Sequence, residues 1–433
     1  MLKWLSVKRV VAIISVLIVV ILPLLSWPVY QFFAYKGKAP LPPFYQFVGI
    51  PDTTPTSQKL HDEDYKKAGS IALELLTAHQ KKINAPAISA AVAIDNKLIW
   101  AGASGWADID SKTPVTTESQ FRIGSTSKAL TGTALARMVD QQLIDIDQPI
   151  SHYMNNLLNK EWGTMTARQL VSHMSGLPHY KENTDRLGLY KTLALSTRYE
   201  NVEQALKVFD ESELLFNPGS DFSYSSFGTV LLSAVMKNAS NKPYVELMRE
   251  QVFKPLAMHS TMAEYEAEYE GDYEVEHEGE NNDNLVTFYW NDEGRSNEVR
   301  PWREVDLSHR LAGGGFISTS SDLVKMGVAF LQDDFISPAT RKTFWTPQIL
   351  PNGDEAPSGY SLGWRVITYT ISEDIGDVTV ANHGGVSRGA QSWLMVIPKF
   401  NMSVAVNINA NTDVFWDFGK VSMQVAKAFI IAQ

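Results

Sequence analysis

The sequence predicts an α+β protein with a membrane-spanning helix in front of it, and three observations carry that prediction. Strand-like runs gather in two groups towards the ends of the chain, at 87–104 and 363–408. Helical periodicities recur between them. Ahead of both groups, the 26 residues between Arg9 and Lys36 carry no formal charge. The 433 residues, 44% hydrophobic, suffice to bury a large core.

Composition removes several kinds of chemistry. Cysteine is absent, which excludes disulfides, thiolate metal sites and Cys nucleophiles. The nine histidines form no H-E-x-x-H or tight ligand cluster, so neither a metal nor another cofactor is expected. The formal charge is −10, yet Lys3, Lys8, Arg9, Lys36 and Lys38 lie in the first 38 residues, where no acid occurs. The remainder sets 33 cations against 48 acids, and such a surface repels nucleic acid.

Taken in order, the uncharged run is dense in Val, Ile and Leu up to Leu25 and is long enough to cross a bilayer with some tilt. Lys3, Lys8 and Arg9 precede it, so the positive-inside rule places residues 1–35 as a cytoplasmic tip and anchor, with the rest on the extracytoplasmic, periplasmic side. A cleaved signal peptide is the rival reading. The run is longer than a usual signal core and no clean A-x-A site follows it, which favours an uncleaved anchor. Trp27, Tyr30, Phe32, Phe33 and Tyr35 fit an interfacial aromatic belt. Residues 36–60, rich in Pro and Thr, read as a spacer, and the globular domain, 61–433, is expected to start near His61. A helix follows over 71–82, then two strands, 87–94 and 98–104, around the turn Asp95-Asn96.

The next stretch is Phe-Arg-Ile-Gly-Ser-Thr-Ser-Lys, Phe121 to Lys128, leading into a helical run in which Leu130, Ala134, Leu135 and Met138 recur. Ser125 at the helix start and Lys128 one turn on share a face, so the amine can reach the hydroxyl. A hydroxyl is a poor nucleophile at neutral pH. A neighbouring lysine whose pKa is lowered by burial can take its proton. Alone, S-x-x-K is a weak signal, equally compatible with a capped amphipathic helix and a solvated lysine.

More specific strings follow: L-x-S-H-x-S-G-L-P from Leu170 to Pro178, F-x-P-G-x-x-F-x-Y-S from Phe216 to Ser225, and G-G-G-F-x-S-T-x-x-D from Gly313 to Asp322. With these in order, the chain from about Asp64 onwards resembles the serine β-lactamase and penicillin-binding-protein superfamily. The likeness is to its class C-like branch, which also holds DD-carboxypeptidases, D-aminopeptidases and carboxylesterases. The resemblance implies a β-lactamase/transpeptidase-like architecture, an antiparallel sheet built from both ends of the domain and flanked by helices. It adds a helical subdomain at about 144–310, with the active site between the two parts.

It also implies roles. Ser125 matches the nucleophile, Lys128 its base, and Tyr224 the tyrosine that shuttles protons to the leaving group. The family pattern at the second element is Y-x-N, and this chain has Ser226 where the asparagine is expected. A hydroxymethyl is shorter and cannot donate and accept through separate atoms, so a contact to the lysine and to the substrate amide is expected to be lost. The third element, His383-Gly384-Gly385, matches the K-T-G or H-x-G position and is expected to end the strand 377–382. Gly384 and Gly385 let substrate lie along the backbone there. The amides of Val386 and Ser125 are expected to form the oxyanion hole, and His383 to orient Tyr224 or the substrate. Histidine in place of lysine removes a fixed cation for a substrate carboxylate. His173 reads as a structural hydrogen-bonding residue.

Two further features need weighing. Gly385-Val386-Ser387-Arg388-Gly389 satisfies G-x-S-x-G, but that elbow requires a helix after the serine and a later histidine. Here a strand follows, and His383 is the last histidine. From Glu264 to Glu280 every even-numbered residue is acidic, which reads as a solvated flap without the spacing of a calcium loop.

The expected activity is therefore that of a membrane-anchored serine hydrolase acting through an acyl-enzyme on Ser125. Its substrate is a small molecule or peptide, an ester or amide without an obligatory carboxylate, as for a carboxylesterase or D-aminopeptidase. A DD-carboxypeptidase or β-lactamase is the alternative, and a non-turnover β-lactam-binding scaffold the alternative of another class. Oligomeric state stays open.

Overall fold

The computed structural model describes residues 7–36, 38–42, 46–267, 284–291, 295–373, 375–412 and 415–433. Lys3, most of the acidic alternation and Asp413, the expected start of the last helix, lie outside the described residues.

Helix α1, Val7–Tyr35, contains the apolar run. Its residues from Val16 to Val20 are 50–71% exposed, and within it Ser15–Tyr35 is long and apolar enough to span a bilayer. The far end of α1 behaves differently. Ala34 and Tyr35 are only 1% exposed, and the Tyr35 ring lies 4.7 Å from that of Trp302.

Strands β1, Val48–Gly49, and β2, Thr56–Leu60, fall in the stretch expected to be a spacer. The first pairs with residues 298–299 and the second with the main sheet, so the domain begins well before His61. Pro-Thr composition suggested a linker, but an edge strand needs only one face of backbone paired, and Thr suits it.

Helix α2, Lys66–Lys82, leads into β3, Ala87–Ile94, and β4, Lys97–Asp108. Beyond them come α3, Ser127–Asp140; α4, Arg186–Ala194; α5, Ser226–Ser240; and α6, Ser320–Ala329. The sheet resumes with β5, Arg365–Thr370; β6, Asp377–Ser387; β7, Ala390–Ile397; and β8, Met402–Ile408, before α7, Phe415–Ile430. Strand order is β5-β6-β7-β8-β3-β4-β2, every neighbour antiparallel. The two ends of the domain are thus joined where β8 meets β3, with Ala405 opposite Ala91.

Both faces of this sheet are covered, which is why β3 reads as a continuous apolar run and not as an alternation. Ile88, Ala90 and Val92 pack with Trp100, Phe418 and Phe429 under α2 and α7. Ala91 and Ala93 face the opposite way, towards α3, α5 and α6. Between β4 and β5 the chain is mostly helix and turn with a few short strands. Its core joins the second face through Leu130, Leu231, Leu323 and Phe316. The protein has a β-lactamase/transpeptidase-like fold.

One expectation about β6 needs correcting. His383-Gly384-Gly385 does not end the strand but lies inside it, paired through to Ser387 opposite Ala390. Glycine weakens a strand locally; β5 pairs with β6 from Asp377 to Asn382, β7 joins at Ala381, and β7 alone carries the strand from His383 through the glycines to Ser387.

Candidate active site

Ser125 sits in a 3-10 turn, Gly124–Thr126, that runs into α3. Gly124 has φ +50, and a Cβ there would come within 2.8 Å of the Val386 backbone. Gly385 faces the same turn, with room for no Cβ between it and the Ile123 carbonyl and the Ser125 amide. Two glycines thus bring the Ser125 turn and β6 into backbone contact, with Thr126 Oγ1 donating to the His383 carbonyl at 3.3 Å.

Lys128, 1% exposed, points from the first turn of α3 into this junction. Its Nζ donates to Ser226 Oγ at 2.9 Å, to the Gly313 carbonyl at 2.8 Å and to Ser125 Oγ at 3.3 Å. Three donors meet three neutral oxygens. Burial, with further repulsion from Arg365 and Arg310, lowers its pKa to about 7. The amine therefore loses its proton near neutrality. Tyr224, whose ring lies 4.9 Å from Nζ, is raised by burial, with Arg365 and a hydrogen bond to Ser125 acting the other way.

Local capping explains how the second element is held. Ser225 caps α5, accepting from the Gly228 amide at 3.1 Å and donating to the Pro178 carbonyl at 2.7 Å. The Ser225 amide in turn donates to His173 Nδ1 at 3.3 Å, and the Ser226 amide to His179 Nδ1 at 3.2 Å. His173 thus has the structural place the sequence suggested. Its ring lies 4.2 Å from that of Tyr224 and 4.4 Å from that of Tyr360. His179 is lowered to about 3 by burial and then by Lys128 and Arg310, so it is a neutral acceptor.

Ser226 and His383 are placed differently from expectation. The short Ser226 side chain does reach the lysine, because α5 begins at Ser226 itself and brings the hydroxyl against α3. His383 is fully buried and does not line the cleft beside Ser125. Its Nδ1 is 2.8 Å from the Gly384 carbonyl and its Nε2 is 3.0 Å from the Tyr360 hydroxyl, so it contacts Tyr360 and not Tyr224. Burial, then Arg365 and Lys128, hold it well below the usual histidine range.

The cleft has a volume of about 250 Å³. Ser125, Tyr224, Ser226, Gly384 and Val386 line it, together with His179, Tyr180, Arg310, Arg365 and Phe415, none of which the sequence argument singled out. His179 follows directly on the S-G-L-P string and could have been noticed. Arg310 and Arg365 lie outside every quoted motif. They place two cations on the cleft wall, which the inference from the histidine at position 383 alone did not consider.

Comparison with known proteins bears on this geometry. The Beta-lactamase family model matches residues 73–420. The chain belongs to that family. The mitochondrial serine beta-lactamase-like protein LACTB of Mus musculus is 27% identical, over 79% of this chain and 75% of that protein. D-amino acid amidase from Ochrobactrum anthropi shares the fold, with a TM-score of 0.66 at 19% identity over 84% of this chain and all of that one. So does EstCE1, a hydrolase with promiscuous acyltransferase activity, with a TM-score of 0.64 at 20% identity over 85% of this chain and 99% of that one. The chain is a serine hydrolase of this family.

Proposed function

We propose that Ser125 is the nucleophile of an acyl-enzyme hydrolase that cleaves an ester or amide, with Lys128 as its base. The observation that carries this is the buried amine, 3.3 Å from the hydroxyl and lowered to about 7. Lys128 takes the Ser125 proton as Oγ attacks the carbonyl. The amides of Ser125 and Val386, brought together by Gly124 and Gly385, receive the oxyanion. Tyr224 passes a proton to the departing alcohol or amine. Water, deprotonated by the same pair, then attacks the acyl carbonyl and returns Ser125 to its hydroxyl form. His383 acts at one remove, fixing Tyr360 behind Tyr224, and Gly384 borders the cleft with its backbone, the place of a Cβ being taken by Phe415 and Trp393.

The substrate reading is a carboxylesterase or D-amino-acid amidase type of reaction. That an amidase and a hydrolase with acyltransferase activity share the fold supports it. We further propose that α1 anchors the protein, with a catalytic unit starting near residue 46 on the extracytoplasmic side. The exposed apolar stretch Ser15–Tyr35 supports the anchor.

Labelling with a fluorophosphonate, followed by peptide mapping, tests the nucleophile. A label on Ser125 is expected, and its loss in Ser125→Ala. A label on Ser387, which also lines the cleft, would overturn the assignment.

A further inference from the structure

Beside Arg310 and Tyr180 of the cleft wall, cations gather, and among the described residues no acid is paired with them. Arg310 is 7% exposed; its guanidinium lies 4.3 Å from the Tyr180 ring, and its Nε and one terminal nitrogen meet only His309 Nε2, at 3.2 and 3.1 Å. Burial and Arg310 hold His309 well below the usual histidine range, so it offers a lone pair and no charge. Arg388 follows Ser387 of the cleft wall. Its guanidinium lies 5.1 Å from the Phe32 ring and 5.9 Å from that of Trp302, and its Nε has no partner. Lys36 closes over the same Phe32 ring at 4.7 Å.

Nothing among the described residues balances these charges. Arg122, nearby, is already paired with Glu264. Arg388 is lowered to about 9 by burial and by Arg310, and Lys36 to about 8 by burial and by Arg388, Lys38, Arg310 and Lys181. The leading contributions to both shifts are burial and neighbouring cations. Arg310 is buried and Arg388 half-buried, with Lys36 exposed at the rim; like charges gathered with so little water around the two guanidinium groups are costly unless an anion joins them. Guanidinium groups suit carboxylate and phosphate oxygens in particular.

We infer that Arg310, Arg388 and Lys36 form a subsite for an anionic oxyacid group, a carboxylate or phosphate, carried by the substrate whose ester or amide bond lies at Ser125. This rests on the proposed role of Ser125 and adds the charge of the substrate to it. The subsite lies away from His383, where the resemblance would put a carboxylate-binding cation. The last turn of α1 forms part of it through Phe32, and Lys36 follows directly after the helix.

The test compares p-nitrophenyl glutarate monoester with the neutral p-nitrophenyl butyrate, using the full chain in neutral detergent. The wild type should favour the glutarate ester in kcat/KM, and the ratio should fall with added salt as the charges are screened. Arg388→Gln and, separately, Arg310→Gln should each lower the ratio at least tenfold, and Arg388→Lys should largely restore it. If the ratio is at or below one but inorganic phosphate inhibits butyrate hydrolysis competitively, and does so far less in Arg388→Gln, the bound group is a phosphate. A ratio at or below one with no phosphate inhibition, or a ratio unchanged in both glutamine variants, overturns the subsite. The uncharged fluorophosphonate separates the two proposals: labelled Ser125 with no anion preference sinks the subsite alone, and unlabelled Ser125 sinks the nucleophile.

Discussion

Removing the Ser226 hydroxyl tests the electrostatics of the site most directly. In Ser226→Ala the Lys128 ammonium keeps two of its three acceptors, the Gly313 carbonyl and Ser125 Oγ. The bond it loses is 2.9 Å long and wholly buried. A hydrogen bond to a charged group contributes about 1.5–3 kcal/mol, and one pKa unit corresponds to about 1.4 kcal/mol. The charged form is the one that loses, so the lysine pKa falls by about one to two units, from about 7. Because the neutral amine is the active form, kcat/KM rises with pH through this pKa. The acidic limb of the profile should therefore move from near pH 7 to about pH 5–6. The plateau should drop as well, since a weaker base takes the Ser125 proton less readily. The assay is hydrolysis of a chromogenic ester between pH 4.5 and 9, with the spontaneous rate subtracted. A limb that stays in place, or moves up, would show that Ser226 donates to a neutral Lys128, and the argument would be refuted.

Other expectations follow from the same geometry. Tyr224→Phe should lower kcat on an amide by more than 100-fold, and on an activated ester by much less, because p-nitrophenolate leaves without a proton; equal losses on both would remove Tyr224 from the proton path. Lys128 titrates near 7 folded and near 10.5 unfolded, so the unfolded chain holds the extra proton between those values, and stability should rise by about 1.4 kcal/mol per pH unit as pH increases from 7 towards 10. Denaturant titrations of Lys128→Met should lack that slope. Tyr360→Phe leaves His383 Nε2 buried without its donor, which should cost about 1–3 kcal/mol of stability while the acidic limb of kcat/KM stays put. A chain beginning at Pro55 should still label at Ser125, yet melt several degrees below one beginning at Ala34, because Tyr35 and β1 are gone; equal melting temperatures would mean that the Tyr35–Trp302 contact adds nothing.

How far the sequence could be read depended on the range of each signal. Ser125 and Lys128 were legible because their meeting follows from one helical turn, and β3 and β7 because a strand buried on both faces is a plain apolar run. Tyr224 was legible through a motif. The contacts of Ser226 and His383 were not, since each depends on how one element is seated against another. Only the packing of α5 on α3 shows that a serine suffices at 226, and only the turn at Tyr360 shows where the His383 ring goes. Arg310 and Arg365 carry no local pattern and enter the cleft through the tertiary fold. The edge strand β2 was missed because a Thr-rich segment with one paired side resembles a linker in composition.

The backbone contact between the Ser125 turn and β6 also has a consequence for synthesis. Thr126 and His383, which join across it, are 257 residues apart in sequence. The proposed nucleophile and base leave the ribosome early and close to one another, but the second amide of the proposed oxyanion hole arrives only with the final strands. On the proposed mechanism, a nascent chain ending before β6 carries a serine and a lysine with no Val386 amide to receive developing charge, and is expected to be inactive. Competence then appears in one step, when β6 to β8 close onto β3 and complete the sheet. The same long-range closure makes folding slow. It also means that loosening the carboxy-terminal strands, for instance by removing α7, would silence the enzyme while the amino-terminal hairpin and α3 were still intact.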